Sequence, residues 1–369
     1  MIDGLEFGGG ERVFLQLASG LKDRYRISVA TNTGGKFSQE LSKLDIQIFS
    51  VDMSRQLALK PIRQIRDIIL QSRIDLVHSQ GARADFFARI AGKIADSPHI
   101  LCTVAMPVEG FDVTPLRKRV YRFIDQFSEN YVDRYLVVSN ALKQSLTLRR
   151  GISSERVVRI YNGIEVNEYQ PNLKLNNIRS EWGIPQTESL VGAIGRLVWQ
   201  KGLEHLIQAA PEILAAVPDA WFLVVGKGPL RPNLEALASQ LNISDRIIFT
   251  GFRSDIREIL STIDILVIPS LLEGFPIITL EAMAMAKPIV ATQILGMNEQ
   301  ISDGVEGILV PPKNPKALGA AVLSLLQDRK LASRLGAAAR SRVESSFSVE
   351  KMVRETEKVY LSVLKVNDK

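Results

Sequence analysis

The chain has 369 residues, of which 46% are hydrophobic, so it is too long for one ordinary domain and apolar enough to fill two cores. It has no run of 18 or more apolar residues, which argues against a membrane-spanning helix. Because no signal peptide is recognisable and the single cysteine, Cys102, has no partner for an internal disulfide, the sequence predicts a cytoplasmic protein.

The formal net charge is +6, and the excess lies entirely in residues 1–165, which contain 24 Lys and Arg against 18 Asp and Glu. Residues 166–369 contain 22 of each sign. Such a bias could serve an anionic acceptor or hold the protein peripherally at the inner face of the cell membrane. An ordinary solvated surface explains the bias equally well.

The first motif is a glycine-rich turn, Gly8-Gly9-Gly10-Glu11-Arg12, which leads into an amphipathic helix with Val13, Leu17 and Leu21 on one face. Only residues 1–7 precede it, which is short for a complete strand. We therefore expect an incomplete first strand, or a start that lies upstream. Small residues would let backbone N–H groups approach a phosphate or sugar, although three glycines are also common in simple flexible turns.

Short apolar runs alternate with helical patterns along the chain, which predicts parallel sheets with helices on both faces. The predicted strands are Ile27–Ala30, Asp75–His78, Ile100–Val104, Tyr135–Val138, Leu190–Ile194, Phe222–Val225, Ile247–Thr250, Ile265–Ile268 and Ile289–Ala291. The predicted helices include Ile62–Gln71, Leu203–Ala216 and Pro315–Gln327.

One amphipathic stretch of the first half is strongly basic. Apolar residues recur at helical spacing from Leu116 to Phe127, and four Arg and Lys residues cover the other faces. This stretch could rest on an anionic bilayer or hold a lipid-linked diphosphate acceptor. A core helix with a solvated basic face fits the pattern as well.

A domain boundary is predicted between Gly163 and Ile184, because Asn, Pro and Gly concentrate there. Beyond it, the apolar strand Leu190–Ile194 runs into a turn in which Arg196 and Lys201 stand five residues apart. An arginine and a lysine at this spacing can converge on one diphosphate, and ligands of open α/β sheets bind at such strand ends. A solvent-facing pair of cations is the alternative interpretation.

The most informative motif places two carboxylates, Glu273 and Glu281, eight residues apart across a predicted junction between a loop and a helix. Gly274, Phe275 and Pro276 would lie at the helix N-terminus, where unpaired N–H groups and the positive end of the dipole attract anions. We expect Glu281 to lie about two turns inside the helix. The arrangement suits a molecule with a sugar on each side of a phosphate, because ionised carboxylates accept hydrogen bonds from hydroxyls.

In this order, the two motifs resemble those of the retaining glycosyltransferases of family 4, which pair G-R-x(4)-K-G with E-x(7)-E in one nucleotide-sugar site. The resemblance extends over essentially the whole chain, from the glycine turn through Val138-Ser139, Asn162-Gly163 and Gly226-Lys227-Gly228-Pro229 to residues 303–311. Each motif alone is weak evidence, and the ordered set is specific.

The resemblance implies two Rossmann-like domains with parallel sheets facing across a cleft, the GT-B architecture. Residues 1–165 would bind the acceptor and residues 166–348 the nucleotide sugar, while residues 349–369 would form a helix that crosses back to the first domain. The implied activity is metal-independent, retaining transfer of a sugar from a nucleoside-diphosphate sugar to a glycan or lipid-linked acceptor. The product would be a bacterial surface polysaccharide or glycolipid, as in lipopolysaccharide synthesis.

The resemblance also assigns roles to individual residues. Arg196 and Lys201 would neutralise the leaving diphosphate, Glu273 would hold the transferred sugar, and Glu281 would bind the ribose hydroxyls. For Glu281, an ion pair within the protein is the alternative. The remaining donor-binding candidates are Gly9, Gly10, Gly226, Arg253, Gly274, Phe275 and Pro276.

This chain departs from the family pattern after β-strand residues 103–104, where many members carry a histidine and residues 105–107 read Ala-Met-Pro. We consider His78, Glu109 and Asp112 as candidates that contact the acceptor or the sugar instead. For His78, packing at the end of a strand is the commoner role.

No metal or other cofactor is expected, because the chain contains no Asp-x-Asp and no His or Cys ligand spacing. Neither the G-x-G-x-x-G motif of dinucleotide oxidoreductases nor a P-loop is present, and no nucleic-acid-binding motif is recognisable. Two alternatives stay open. A sugar-nucleotide epimerase of similar fold would convert the donor without an acceptor, and a non-catalytic nucleotide-sugar-binding protein would not convert it.

Overall fold

The computed structural model describes residues 1–4, 7–54, 58–96, 99–106, 126–171 and 178–364. The chain divides into two compact units. The first unit comprises Met1–Gly163 together with the C-terminal segment that begins at Val349, and the second comprises Ile164–Ser348. The sequence placed this boundary two residues later, between residues 165 and 166.

The first unit is built from short parallel strands connected by helices. Its strands are β1 (Ser28–Thr31), β2 (Gln47–Ser50), β3 (Leu76–Gln80), β4 (His99–Val104), β5 (Arg134–Val137) and β6 (Val157–Arg159). Its helices before the boundary are α1 (Gly9–Leu21), α2 (Lys36–Ser42), α3 (Leu59–Gln71), α4 (Ala82–Ala95) and α5 (Asn140–Gln144). Strand β1 pairs with β2, while β3, β4, β5 and β6 pair in that order, and all of these pairs are parallel.

The first three residues lie between β1 and β3. The Ile2 amide donates to the Ala30 carbonyl (3.3 Å), and the Gln80 amide donates to the Met1 carbonyl (3.0 Å). The α-amino group of Met1 donates to the carbonyl of His78, and burial lowers the pKa of this amino group to about 5. This short segment therefore joins the two groups of strands at the place where the sequence predicts an incomplete strand.

The second unit contains one sheet with helices between its strands. The strands are β7 (Leu190–Ile194), β8 (Trp221–Val225), β9 (Ile247–Gly251), β10 (Ile265–Ile268), β11 (Ile289–Thr292) and β12 (Ile308–Val310). The helices are α6 (Leu203–Ala216), α7 (Arg231–Gln240), α8 (Ile256–Thr262), α9 (Ile277–Ala284), α10 (Pro315–Gln327) and α11 (Arg329–Ser346). The strands are parallel in the order β12-β11-β10-β7-β8-β9, and all four residues of β10 are buried, as expected for a sheet covered on both faces.

Polar side chains fix where the last two helices of this unit begin. The Asn314 side chain accepts a hydrogen bond from the Ala317 amide (3.1 Å) at the start of α10. The Asp328 side chain accepts one from the Leu331 amide (2.9 Å) at the start of α11. Each cap satisfies an N–H group that has no partner within its helix.

The last helix, α12 (Val349–Leu364), packs on α1 of the first unit. A Cβ atom at Gly20 would lie only 2.7 Å from Cγ2 of Val353, so the two helices approach closely because residue 20 is glycine. The Tyr25 hydroxyl also donates to Oε1 of Glu357 (3.0 Å). The C-terminal helix thus belongs to the unit that contains the N-terminus.

The predicted parallel α/β architecture is confirmed, the bounds predicted for α6 and α10 match those of the structure, and α12 begins at the predicted residue 349. The sequence missed β2, β6 and β12, which have only three or four residues and partly exposed patterns. Most of the basic stretch at residues 116–127 lies outside the described residues. Among the described residues, no helix combines the length and the apolar character needed to cross a membrane.

Candidate functional site

The sequence motifs of the second unit meet where the order of its strands reverses. From β7 the chain adds β8 and β9 on one side, and it then returns to add β10, β11 and β12 on the other side. The loop after β7 and the loop after its neighbour β10 therefore lead toward opposite sides of the sheet. This leaves a crevice at their carboxyl ends, which is where open α/β sheets bind ligands.

Close backbone contacts fix the loop that follows β7. The Gly195 amide donates to the Val225 carbonyl (2.9 Å), and the Leu197 amide donates to the Lys227 carbonyl (2.9 Å). Gly226 has φ +141, and a Cβ atom there would lie 1.8 Å from the Gly195 oxygen. Gly226 is therefore required for packing between the loops after β7 and β8, which is a different role from a direct donor contact.

The two cations of this loop have different environments. Arg196 is exposed, and among the described residues it forms no ion pair. Lys201 ends a short 3₁₀ turn, and Gly202 follows it with a left-handed conformation. A Cβ atom at Gly202 would lie 2.3 Å from the Pro269 oxygen, and the Leu271 amide donates to the Gln200 carbonyl (2.7 Å). These contacts hold Lys201 against the loop that follows β10.

Glu273 lies on the loop after β10 and is only 8% exposed. Its Oε1 atom accepts hydrogen bonds from Nζ of Lys201 (2.6 Å) and from Oγ of Ser270 (2.7 Å). The Ser270 carbonyl in turn accepts a hydrogen bond from the Thr292 hydroxyl. One carboxylate oxygen is thus fixed by two donors that come from the ends of neighbouring strands.

Buried contacts also fix the segment between Glu273 and α9. A Cβ atom at Gly296 would lie 2.2 Å from the Gly274 oxygen, so the two backbones touch. The Phe275 ring packs on Phe347, with ring centroids 5.3 Å apart, and the Gln300 side chain donates to the carbonyl of Pro276 (2.9 Å). Helix α9 then begins at residue 277, so its free N–H groups point into the crevice end of the sheet.

Glu281 is the fifth residue of α9, just over one turn from its start, so the expected depth of about two turns was wrong. It is 3% exposed. Its Oε1 atom accepts a hydrogen bond from the Tyr169 hydroxyl (2.6 Å). This partner is a neutral hydroxyl group, and it comes from the segment that opens the second unit.

The side chain of Arg253 is already engaged within the second unit. Its Nε donates to Asp255 (2.9 Å) and its Nη1 to Glu181 (2.9 Å), and its guanidinium lies 5.5 Å from the centre of the Trp182 ring. The pKa of Arg253 is raised by its hydrogen bond to Asp255 and, less strongly, by its hydrogen bond to Glu181. The hydrogen bond from Arg253 lowers the pKa of Asp255. Two carboxylates thus hold the Arg253 side chain, and its contact with a donor stays a prediction.

Two predicted residues of the first unit, Gly9 and Gly10, are placed differently from expectation. Gly9 and Gly10 form the first turn of α1 and do not belong to a loop before it. A Cβ atom at Gly10 would lie 2.9 Å from the side-chain nitrogen of Gln80, so this glycine permits a packing contact. Glu109 and Asp112 lie outside the described residues.

His78 is held on both sides of its ring. Its Nδ1 bonds with the Tyr360 hydroxyl (2.5 Å) and its Nε2 with the Thr103 hydroxyl (2.6 Å). His78 also lines a pocket of about 260 Å³, and burial lowers its pKa to about 3. These contacts favour packing over the predicted contact with an acceptor or sugar, because both ring nitrogens already have partners.

Tertiary structure adds residues that the sequence patterns did not indicate, namely Tyr169, Ser270, Thr292 and Gln300. Ser270 is three residues before Glu273 and could have been suspected from that spacing. The others are distant in sequence from the groups that they contact, so no local pattern pointed to them. Among the described residues, no cluster of three or more His, Cys, Asp or Glu is arranged to hold a metal ion.

Two family models match the chain. Residues 7–168 match the model described as Glycosyltransferase Family 4, and residues 175–342 match the model described as Glycosyl transferases group 1. Together the two models cover the greater part of both units and include all the motifs described above.

Individual relatives agree with these matches. The chain is 34% identical over 230 residues to the uncharacterized glycosyltransferase MJ1607 of Methanocaldococcus jannaschii. The matched region covers 61% of this chain and 59% of that protein. It is 23% identical over 369 residues to the Escherichia coli UDP-Gal:alpha-D-GlcNAc-diphosphoundecaprenol alpha-1,3-galactosyltransferase, covering 96% of this chain and 94% of that protein. Its fold is similar to that of Anabaena Alr3699/HepE in complex with UDP-glucose, with a TM-score of 0.85, 21% identity and 98% of each chain covered.

Proposed function

Because the chain belongs to the group 1 and family 4 glycosyltransferases, we propose that it transfers a sugar, with retention of anomeric configuration and without a metal ion. The donor is a nucleoside-diphosphate sugar. The acceptor is a glycan or a lipid-linked sugar used to build a bacterial surface polysaccharide or glycolipid.

The observation that carries the proposal is the contact between Lys201 and Glu273 at the crevice between β7 and β10. One of these groups is a cation that can neutralise a phosphate, and the other is a carboxylate that can bind sugar hydroxyls. Their 2.6 Å separation supports the proposal, because a group able to bind phosphate lies directly beside one able to bind sugar hydroxyls. The donor has the same arrangement, because its sugar is attached to the terminal phosphate.

The reaction breaks the bond between the sugar and the diphosphate and forms a bond between the sugar and an acceptor hydroxyl. Negative charge develops on the leaving diphosphate. Lys201, the exposed Arg196 and the N-terminus of α9 would stabilise this charge in a fixed arrangement, so no metal is required. In a retaining reaction the departing phosphate would accept the proton of the acceptor hydroxyl. The Oε1 atom of Glu273 already accepts hydrogen bonds from Lys201 and Ser270, and these contacts favour a role in holding the sugar over a role as nucleophile.

The proposed acceptor class rests on the Escherichia coli relative, whose name specifies a diphosphoundecaprenol-linked sugar. The basic excess of residues 1–165 supports the same class, because a lipid-linked diphosphate is anionic. Peripheral contact with the inner face of the cell membrane would follow from a lipid-linked acceptor.

The first experiment measures thermal stability of the protein against UDP, GDP, ADP and CDP sugars. A ligand at about 100 times its dissociation constant should stabilise the native state by about 2.7 kcal/mol. We expect one nucleotide series to raise the melting temperature, and we expect Arg196→Ala and Glu281→Gln to reduce this shift. Arg329→Ala, at an exposed arginine of α11, is the matched control. A wild-type protein that responds to no donor would contradict the proposal.

The second experiment follows the reaction itself with the donor identified in this way. We expect transfer to a lipid-linked acceptor in the presence of EDTA, with a product of the same anomeric configuration as the donor by NMR. Loss of activity in EDTA would exclude the metal-independent mechanism, and an inverted product would exclude retention. Conversion of the donor to an epimer without an acceptor would instead favour the epimerase alternative.

A further inference from the structure

The hydrogen bond between Tyr169 and Glu281 is the least expected contact of the site. Both residues are buried, with exposures of 8% and 3%, and the Tyr169 hydroxyl lies 2.6 Å from Oε1 of Glu281. The residues are 112 positions apart in the chain. An ionised carboxylate only accepts hydrogen bonds, so the phenol is the donor.

The backbone of Tyr169 is anchored as well as its side chain. A 3₁₀ turn, Val166–Glu168, precedes it. Nη1 of Arg340 on α11 donates to the carbonyls of Tyr169 and Ala284. Ala284 ends α9, the helix that carries Glu281. One guanidinium therefore ties the chain at Tyr169 to the end of the helix that bears the carboxylate.

Helix α11, which supplies Arg340, is itself seated closely on the end of α9. A Cβ atom at Gly336 would lie 2.1 Å from the carbonyl oxygen of Ala286, two residues after α9 ends. This contact fixes the position of Arg340, one turn further along α11. Glu281, Tyr169 and Arg340 thus form a connected set in which the two buried residues, Glu281 and Tyr169, are held in place by the partly buried Arg340.

We propose that Tyr169 is a positioning residue that orients the Glu281 carboxylate toward the ribose hydroxyls of the donor nucleotide. The inference rests on the proposed function, since it deepens the role of the same site. A phenol is suited to this task because it holds one carboxylate oxygen without placing a second charge beside it. A lysine or arginine partner would compete for the carboxylate more strongly than neutral ribose hydroxyls can.

A purely structural contact would have a different consequence. If the phenol only satisfied a buried carboxylate, its loss would destabilise the second unit and weaken every nucleotide alike. If it orients Glu281, its loss should affect ligands that have ribose hydroxyls and spare those that lack them. The two interpretations are therefore separated by ligand discrimination, and not by stability.

The test compares wild type with Tyr169→Phe by isothermal titration calorimetry. The probes are UDP, GDP, ADP and CDP, together with the 2′,3′-dideoxy analogue of the one that binds most tightly. We expect the substitution to weaken the ribonucleotide about tenfold and to leave the dideoxy analogue within about twofold, so that discrimination is largely lost. Equal weakening of both ligands, or unchanged discrimination, would overturn the inference while the proposed function stands.

The chain offers a matched control. Tyr25 also donates to a glutamate, Glu357 (3.0 Å), but in the first unit. Tyr25→Phe should leave both affinities unchanged. If no ribonucleoside diphosphate binds wild type, the proposed function fails, and the inference fails with it.

A double variant guards against misfolding of Tyr169→Phe. The double variant carries Tyr169→Phe together with Glu281→Gln. It has no carboxylate charge at position 281, so no charge there is left without the hydrogen bond from Tyr169. If Tyr169 acts through Glu281, the double variant should bind the ribonucleotide no more weakly than Glu281→Gln alone. Additive losses would show that Tyr169 acts independently of Glu281, which would overturn the inference.

Discussion

Glu273 and Glu281 are both buried, and each accepts a hydrogen bond from a neutral hydroxyl, Ser270 in one case and Tyr169 in the other. Buried carboxylates are costly unless they are paired or hydrogen-bonded. These partners hold the two carboxylates in fixed positions before any ligand binds. At the scale of single residues, the site is therefore preorganised by groups that would not themselves touch the reacting atoms.

The pair of Lys201 and Glu273 leads to a stability prediction. We expect Lys201→Met to lower the free energy of unfolding by about 3 kcal/mol, because it leaves a buried carboxylate without its cation. Urea unfolding would measure this loss. The double variant Lys201→Met with Glu273→Gln should recover much of it, since the uncompensated charge is gone. Equal stability of the single and double variants would contradict the pairing.

His78 leads to a prediction about pH. Burial lowers its pKa to about 3, with the nearby Met1 amino group adding to the effect. The unfolded chain takes up a proton at about pH 6.5 and the folded chain does not, so the free energy of unfolding should fall as the pH drops from about 6.5 toward 3. His78→Gln can still hydrogen-bond but does not titrate, so it should reduce this dependence by up to about 1.4 kcal/mol per pH unit.

The measurement is urea unfolding of wild type and His78→Gln at about pH 7 and about pH 5. On acidification, the free energy of unfolding should fall more for wild type than for the variant. Parallel losses in both proteins would show that His78 does not remain neutral in the folded state.

At the scale of elements, glycines decide how closely the loops and helices of the site approach one another. Gly226, Gly202 and Gly296 each place one backbone against another at the carboxyl ends of the strands. Gly336 does the same where α11 meets the turn after α9. A side chain at any of these positions would push apart elements that carry site residues.

Two helical glycines allow a matched test of this idea. A Cβ atom at Gly336 would lie 2.1 Å from the Ala286 oxygen, whereas one at Gly319 on α10 would lie 3.6 Å from its nearest neighbour, Cβ of Ala209. We expect Gly336→Ala to destabilise the protein by about 1–3 kcal/mol. Gly319→Ala should be neutral or up to about 1 kcal/mol more stable, because alanine favours helices. Similar melting temperatures for both variants would contradict this view of the packing of α11.

At the scale of the whole molecule, the second unit is continuous in sequence and the first is not. All strands of the second sheet lie within Ile164–Ser348. The first unit takes its last helix, α12, from the far end of the chain, and that helix buries Met352, Val353 and Val359. The two units therefore depend differently on the C-terminus.

Deletion of residues 349–369 tests this dependence. We expect the truncation to destabilise the first unit, because α1 loses its apolar partner, and to leave the second unit folded. Calorimetry should show loss of one unfolding transition and retention of the other, which a bound nucleoside diphosphate should still raise. Leu361→Ala, at a partly exposed position of α12, is the control and should change neither transition. Loss of both transitions in the truncated protein would contradict the division.

The sequence by itself determined the fold class and the main motifs, because both depend on local patterns. Short, fully apolar runs such as β10 favour buried strands. The Arg196 to Lys201 spacing lies within one connection between elements, and the Glu273 to Glu281 spacing spans one loop and the first turn of the helix that follows it. Short strands with exposed residues, such as β2, carry too weak a pattern to be found in this way.

Only the tertiary structure decided the partners of the polar side chains. Tyr169 meets Glu281, Arg253 is engaged by Glu181, and His78 is held by Tyr360, although these pairs are separated by 112, 72 and 282 positions. Such contacts arise when separate elements pack together, and a local pattern contains no information about which distant residue will face a given side chain. The sequence could therefore locate the candidate site but could not say how its carboxylates are held.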